Sequence, residues 1–200
     1  MKFGKLLDSS SIILYEAHMM FEIFFTRRYC MSHRLFNLKD SKCFVPHGHN
    51  EFVKVRLVSG GDDKLDGNGN MSNVFKSLKD TWHNWIDNSV DHSMQLSNKD
   101  PLLNYFKENE PENLKHILIT PGDPTTEALA ACFYAKINAF LSNECIKMHC
   151  QQVEIEETPT NSVIFSGDPD RVISTAHYEG PLIPWWKRPD MSINDLEFAK

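Results

Sequence analysis

No hydrophobic run in this sequence is long enough to cross a membrane. A spanning helix needs about 20 apolar residues, whereas the apolar stretch Ile12 to Tyr15 is followed by Glu16 and His18. A secretory signal peptide also needs a longer apolar run and a small-residue cleavage site. We therefore expect a cytoplasmic protein that does not associate with membranes.

Basic residues are also fewer than acidic residues. The chain has 21 Lys and Arg against 27 Asp and Glu, which gives a formal net charge of −6. A surface dedicated to nucleic acid carries a basic excess, so no nucleic-acid partner is expected. An anionic small substrate is still compatible with this charge, because a single pocket can be locally basic.

Cysteines are few, and none lies in a CxxC pair. There are 5, at scattered positions. An odd and irregular set does not indicate a disulfide framework, and reduced thiols are typical of the cytosol. A chain of 200 residues, 41% of them hydrophobic, can bury a core as one domain without disulfides.

Hydrophobic periodicity predicts strands at both ends of the chain and helices between them, an α+β fold. The predicted strands cover residues 21–31, 50–58, 147–157 and 162–165, and the run 116–120 predicts an additional short strand. The segment from Ser59 to Asn70 has the strongest turn signal. No internal repeat is present.

Two amphipathic helices are predicted in the middle of the chain. The first follows a helix-capping residue at Ser72 or Asn73 and has apolar side chains three or four residues apart. The second is capped by Asp123 or Thr125 and runs to about Leu141.

Histidines mark a candidate metal site. His47 and His49 occupy alternate positions at the start of a predicted strand, so both rings point to one face, and Gly48 leaves the other face uncrowded. His33 follows the first strand, where an antiparallel neighbour would bring it close. Three imidazoles and a water form an open, catalytic zinc site. Solvated loop histidines, or a closed site with Cys43 as fourth ligand, are alternatives at this point.

Short motifs in a fixed order extend this interpretation. They are Ser32 to Leu35 (SHRL), Cys43 to Asn50 (CFVPHGHN), Val90 to Leu96 (VDHSMQL), Pro124 to Ala130 (PTTEALA) and Glu157-Thr158. Together they resemble the family of 6-pyruvoyltetrahydropterin synthase and 6-carboxytetrahydropterin synthase, over residues 21–165. The sequence departs from the family pattern at Val74, at Ser97 and at Met31-Ser32.

The resemblance implies a tunnelling fold, in which a four-stranded antiparallel sheet carries two helices on one face. It also implies a homo-oligomer: three subunits close a barrel, two barrels stack as a hexamer, and active sites lie at subunit interfaces. Closure would cover the exposed sheet edges. On this basis residues 21–166 form the pterin synthase domain, between extensions at 1–20 and 167–200.

The resemblance further implies that His33, His47 and His49 bind Zn²⁺ and that Cys43 is the proton acceptor. A thiol beside a cation ionises more readily than a free thiol, which suits that task. A small buried hydrophobic residue is the ordinary alternative for a cysteine. A second metal group at Cys145, His149 and Cys150 has no counterpart in the family, and we do not expect one.

Five further residues acquire roles by the same resemblance. Asp91 and His92 form a proton-relay dyad, Glu157 accepts hydrogen bonds from the pterin, and Thr126 and Glu127 assist in binding it. Taken alone, an Asp-His pair after a helix favours the helix dipole, as does Glu127 in the first turn of a helix. A solvated strand charge is the alternative for Glu157.

The expected substrate is 7,8-dihydroneopterin triphosphate. Of the two family activities we favour 6-carboxy-5,6,7,8-tetrahydropterin synthase, a zinc-dependent lyase on the route to queuosine and other 7-deazaguanines. The motif cannot decide this, because Cys43 precedes the HGH triplet by four residues in both branches. 6-Pyruvoyltetrahydropterin synthase and a non-catalytic pterin-binding protein are the alternatives.

Overall fold

The computed structural model describes residues 21–59, 65, 67–71, 75–175, 178 and 180–196. Three of the sequence predictions therefore lie outside the described residues. They are the N-terminal extension 1–20, the helix cap at Ser72 or Asn73, and most of the turn segment after Ser59.

Six strands form one sheet. They are β1 (Glu22–His33), β2 (His47–Ser59), β3 (Ser93–Ser97), β4 (Ile117–Thr120), β5 (Met148–Thr158) and β6 (Asn161–Phe165). Their order in the sheet is β4-β3-β1-β2-β5-β6. The pairs β1–β2, β2–β5 and β5–β6 are antiparallel, whereas β3 runs parallel to both β1 and β4.

Three α-helices connect these strands. They are α1 (Phe75–Trp85), which continues into a π-helical turn (Ile86–Val90), α2 (Leu102–Asn109) and α3 (Thr126–Asn143). The predicted cap at Thr125 is confirmed, since its side chain accepts a hydrogen bond from the N–H of Ala128. The predicted α+β class is confirmed, because the structure contains helices and a sheet in which most strand pairs are antiparallel.

The predicted four-stranded antiparallel sheet is wrong, because β3 and β4 add two parallel strands beside the end of β1. Only residues 31–33 of β1 pair with β3. A parallel pair needs a crossover connection, and α2 with the following 3₁₀ turn (Pro111–His116) supplies it between β3 and β4. β3 has five residues without clear alternation, so periodicity does not reveal it.

Two helices, α1 and α3, pack on one face of the sheet, as predicted, whereas α2 packs on the opposite face of β3 and β4, in a separate cluster with Leu96, Ile117 and Ile119. Alternate residues of β1, β2 and β5 share one core cluster with α1 and α3, in which Trp82, Trp85 and Phe133 are fully buried. The opposite face carries exposed Phe24 and ion pairs such as Arg56 with Glu22. The inner face of the sheet is therefore the one that positions buried functional groups.

The C-terminal segment covers the free edge of β4. Ile119 donates its N–H to the carbonyl of Ile193 over 3.1 Å, and its own carbonyl accepts from Trp185 Nε1 over 2.8 Å. Lys136 of α3, fully buried, donates to the carbonyls of Trp185 and Ser192. The paired tryptophans, unexplained by sequence periodicity, thus anchor this segment to the core.

No helix among the described residues is long and apolar enough to cross a membrane.

Gly48 allows β1 and β2 to approach each other beside the histidines. A Cβ at this position would lie 2.6 Å from the carbonyl oxygen of Met31, closer than atoms can pack. We expect Gly48→Ala to lower the unfolding free energy by about 1–3 kcal/mol, the usual cost of overpacking, in urea titrations of the metal-free protein. Ser162→Ala, at an exposed position of β6, is the control. Equal stability of the two variants would contradict this expectation.

Candidate metal centre and active site

The pairing of β1 with β2 brings three histidines together. His33 lies directly opposite His47, and His49 lies opposite Met31, so all three side chains are on the inner face. One ligand atom of each ring lies within 4.8 Å of the others. His33 is buried and the other two are half-buried. The cluster therefore has one closed side and one side open to a ligand.

Backbone carbonyls orient two of these rings. His33 Nδ1 lies 3.1 Å from the carbonyl oxygen of Pro124, and His47 Nδ1 lies 2.8 Å from that of Val45. Because a carbonyl only accepts, each Nδ1 carries the proton and each Nε2 is left with its lone pair. The two Nε2 atoms are 3.1 Å apart.

This arrangement fits a zinc ion. Zn–N bonds of about 2.0–2.1 Å in a tetrahedral site place two ligand nitrogens about 3.3 Å apart. Two lone pairs facing each other repel unless a cation or proton lies between them. Metal-bound histidines almost always donate their other N–H to an oxygen, as His33 and His47 do here. The residues present therefore match a three-histidine metal site.

The protonation state of His33 also suits a metal ligand. Burial lowers its pKa, the hydrogen bond to the Pro124 carbonyl opposes that shift, and the neighbouring His47 and His49 lower the pKa further. A lower pKa keeps the imidazole neutral at physiological pH. Neutral imidazole is the form that coordinates a metal.

Cys43 lies on a short loop beside this cluster. It is in the 3₁₀ turn Lys42–Phe44, where its N–H donates to the Ser41 hydroxyl over 3.1 Å. Its carbonyl accepts from the N–H of Leu35 over 2.8 Å, so the turn lies next to the end of β1. Cys43 is half-buried and is not in the group of candidate ligands. The arrangement among the described residues does not support Cys43 as a fourth ligand.

An ion pair that the sequence did not single out holds this loop. Arg34 donates from Nε to Asp100 over 2.6 Å and makes a second bond through its terminal nitrogen. The Asp100 side chain is fully buried. The guanidinium also lies 5.3 Å from the ring of Phe36 and 5.5 Å from that of Phe44. Phe44, which follows Cys43, thereby packs against Arg34, which follows His33.

Two carboxylates lie on the inner face near the histidines. Glu157 of β5 accepts a hydrogen bond from Thr126 Oγ1 over 2.9 Å, at a point where β5 shifts register against β6. Glu51 of β2 is fully buried and accepts a hydrogen bond from the Tyr29 hydroxyl. The sequence interpretation missed Glu51, although its position two residues after His49 places it on the same face.

The Glu51 carboxyl has a shifted pKa. Burial raises its pKa from 4.5 to about 7, the hydrogen bond from Tyr29 opposes the shift, and the charge of Glu157 adds to it. A carboxyl with a raised folded-state pKa contributes stability at low pH, and this contribution disappears as the pH rises through the folded-state pKa. Glu51 therefore makes the folded state less favourable at neutral pH.

We expect the metal-free protein to lose up to about 3 kcal/mol of unfolding free energy between pH 4.5 and 7, relative to a Glu51→Gln variant. The variant carries no titrating group at this position, so its stability should change less over this range. Urea titrations at several pH values measure the difference. Parallel profiles for the two proteins would contradict the shifted pKa.

The predicted dyad lies at the edge of the same sheet. Asp91 follows the π-helical turn, accepts the N–H of Cys30 over 2.7 Å, and lies 2.9 Å from His92 Nδ1. Although partial burial raises the pKa of Asp91, these hydrogen bonds hold it below its ordinary value. The His92 side chain is 80% exposed. Among the described residues, the dyad forms no hydrogen bond with the three histidines.

Two other predicted features are placed elsewhere. Glu127 is exposed in the first turn of α3, where it lines a cavity of about 290 Å³ with Cys132 and Val172. In the described part of the chain it forms no hydrogen bond with Glu157, unlike its neighbour Thr126. Among the described residues, Cys145, His149 and Cys150 do not form a candidate metal group.

The sequence profile described as 6-pyruvoyl tetrahydropterin synthase matches residues 22–168. The chain belongs to the 6-pyruvoyl tetrahydropterin synthase family. The resemblance inferred from its motifs is thereby confirmed.

Individual relatives of this pterin synthase family member are distant. A Bacillus subtilis protein named 6-carboxy-5,6,7,8-tetrahydropterin synthase is 28% identical over 123 residues, which cover 62% of this chain and 69% of that protein. The crystal structure of an uncharacterized protein from Wolinella succinogenes has a TM-score of 0.59 at 18% identity, covering 74% of this chain and 98% of that one. That likeness shows the shared fold.

A Caenorhabditis elegans 6-pyruvoyl tetrahydropterin synthase structure is 24% identical, covers 75% of this chain and 99% of its own, and has a TM-score of 0.49.

Proposed function

We propose that this chain is a zinc-dependent 6-carboxy-5,6,7,8-tetrahydropterin synthase that converts 7,8-dihydroneopterin triphosphate in the cytoplasm, on the route to queuosine. The observation that carries the proposal is the three-histidine cluster, with Nε2 atoms of His33 and His47 3.1 Å apart and Cys43 on the adjoining loop. Family membership and the name of the Bacillus subtilis relative support it.

His33, His47 and His49 are the residues that hold the metal in this proposal. When bound, Zn²⁺ acts as a Lewis acid on the side-chain oxygens of the dihydropterin and makes the adjacent carbon more acidic. The hydrogen bonds to the Pro124 and Val45 carbonyls keep two of the rings turned toward the site. They therefore reduce the entropy lost when a ligand binds.

Glu157 and Thr126 bind the pterin ring. A carboxylate matches the paired N–H donors of a pterin amino edge through two charge-assisted hydrogen bonds. Thr126 already donates to Glu157 over 2.9 Å, which fixes the carboxylate before the substrate arrives. Glu127 is a secondary candidate at the start of the same helix.

Cys43 accepts a proton from the substrate carbon, and the Asp91–His92 dyad returns or relays one. Asp91 accepts a hydrogen bond from the Nδ1–H of His92, which leaves Nε2 free to accept a proton. Because the His92 ring is 80% exposed, it is accessible to a substrate held by a neighbouring subunit. The dyad thus fits the proposed homohexamer, in which active sites lie between subunits.

Product analysis tests this function. Purified protein loaded with zinc is incubated with 7,8-dihydroneopterin triphosphate, and the products are identified by mass spectrometry. We expect acetaldehyde and triphosphate together with 6-carboxytetrahydropterin. Unchanged substrate would contradict the proposal.

The second candidate function is 6-pyruvoyltetrahydropterin synthase, which is favoured by the description of the matching family profile. It is a different outcome of the same experiment, since the product would then carry a pyruvoyl side chain. A non-catalytic pterin-binding protein has less support, because Cys43, the Asp91–His92 dyad and Glu157 are all present.

A further inference from the structure

The three histidines differ in how their rings are oriented. His33 and His47 each donate Nδ1–H to a backbone carbonyl. His49 has ring contacts with both of them, but within the described residues it has no hydrogen bond. Metal-bound histidine almost always has an oxygen partner for its second nitrogen, and that partner fixes the ring and raises its basicity. Among the described residues, His49 therefore lacks the oxygen partner that a metal-bound histidine usually has.

Glu51 has an oxygen that lacks a partner. Its side chain is fully buried and Oε2 accepts from the Tyr29 hydroxyl. Within the described part of the chain, Oε1 is buried without a hydrogen bond. A buried carboxylate oxygen without a donor costs a full desolvation penalty. A donor supplied in the metal-loaded state would account for this oxygen.

Several donors on this face already have acceptors. The Tyr29 hydroxyl is used by Glu51 Oε2, and Thr126 Oγ1 is used by Glu157. The Nδ1–H groups of His33 and His47 are used by backbone carbonyls. Among the described residues, the donors left on or over this face include the second ring nitrogen of His49, Ser93 Oγ and Gln95 Nε2 of β3, and Trp82 Nε1 of α1. Of these, His49 is on the same strand and face as Glu51, two residues away, whereas Ser93 and Gln95 lie on β3, on the far side of β1.

We propose that Glu51 is the positioning residue of His49, and that its Oε1 accepts the second N–H of His49 in the metal-loaded protein. This inference rests on the proposed metal site. It assigns to Glu51 a role in metal affinity through His49, and no contact with substrate. A direct pterin contact, as proposed for Glu157, is the competing role, and it predicts a different result.

Zinc affinity of the full-length protein distinguishes these roles. The dissociation constant is measured by competition with a chromophoric chelator for wild type, Glu51→Gln, Glu51→Leu and the control Glu157→Gln. We expect Glu51→Leu to weaken zinc binding about 10- to 100-fold, the usual effect of losing a partner of a ligand. Glu51→Gln should lie between wild type and Glu51→Leu, because its amide oxygen still accepts. Circular dichroism of each metal-free variant checks its fold.

The outcomes separate this inference from the proposed function. If Glu51→Leu binds zinc as tightly as wild type, the positioning role is wrong while the metal site stands. If Glu157→Gln weakens binding as much as Glu51→Leu, the effect is long-range charge and the role is again wrong. If wild type binds no zinc, the metal site and this inference both fail. Should Glu51→Leu not fold, the near-isosteric Glu51→Gln decides by the same comparison.

Discussion

A His47→Ala variant should no longer retain zinc. Removing one of three protein ligands leaves two imidazoles and an open cleft, which is below the usual minimum for a catalytic zinc site. We expect the dissociation constant to rise by more than about 100-fold, beyond the effect of losing a partner outside the coordination shell. Metal analysis after exhaustive dialysis measures the retained zinc, and turnover of the dihydropterin should be lost in parallel.

His149→Ala is the matched control for this experiment. His149 is an exposed histidine of β5 and does not belong to the candidate metal group. Its replacement should leave the zinc content unchanged. Stoichiometric zinc in His47→Ala would remove the ligand assignment, whereas loss of zinc from both variants would indicate a nonspecific effect on the protein.

A Cys43→Ala variant should retain zinc and lose turnover. Cys43 lies outside the histidine group, so its side chain is not needed to hold the metal. Loss of a general base lowers the rate about 10²- to 10⁴-fold, and we expect kcat to fall within that range. Steady-state kinetics on zinc-loaded protein, with metal analysis of the same sample, provides the measurement.

Cys145→Ala serves as the control, because Cys145 is an exposed cysteine remote in sequence from the motifs. It should turn over substrate like wild type. If Cys43→Ala does so as well, Cys43 is not the proton acceptor. If Cys43→Ala loses zinc instead, the thiol belongs to the metal centre and the open-site interpretation fails.

The long strands were predictable because their side chains alternate over many residues. Residues 21–31 and 50–58 were expected in strands, and β1 and β2 extend these to Glu22–His33 and His47–Ser59. The extension matters for the site: His33 lies in β1, paired with His47, rather than beyond the strand end. Strand alternation therefore accounts for His33 as well as for the other two ligands.

Short elements were harder to predict, because they carry little periodic signal. The run 116–120 was recognised from its apolar residues and forms β4. β3, with five residues, was not recognised, and neither was α2, with eight. Both owe their place to packing against other parts of the chain, which no local pattern encodes.

Several groups around the site depend on contacts distant in sequence. Arg34 meets Asp100 across 66 positions, and Trp185 reaches Ile119 across 66 as well. Such pairs cannot be inferred from spacing in a single sequence. Glu51 differs, because strand alternation from His49 already placed it on the inner face. The signal that would have identified Glu51 is a charged residue at one of the alternate strand positions whose side chains face the core.

Restoration of activity by zinc is the most direct test of the proposed chemistry. Protein stripped of metal by a chelator and reloaded with one equivalent of Zn²⁺ is incubated with 7,8-dihydroneopterin triphosphate, and the products are followed by mass spectrometry. The account predicts that stripped protein forms no 6-carboxytetrahydropterin and that zinc restores its formation. Equal product formation by stripped and reloaded protein would contradict it.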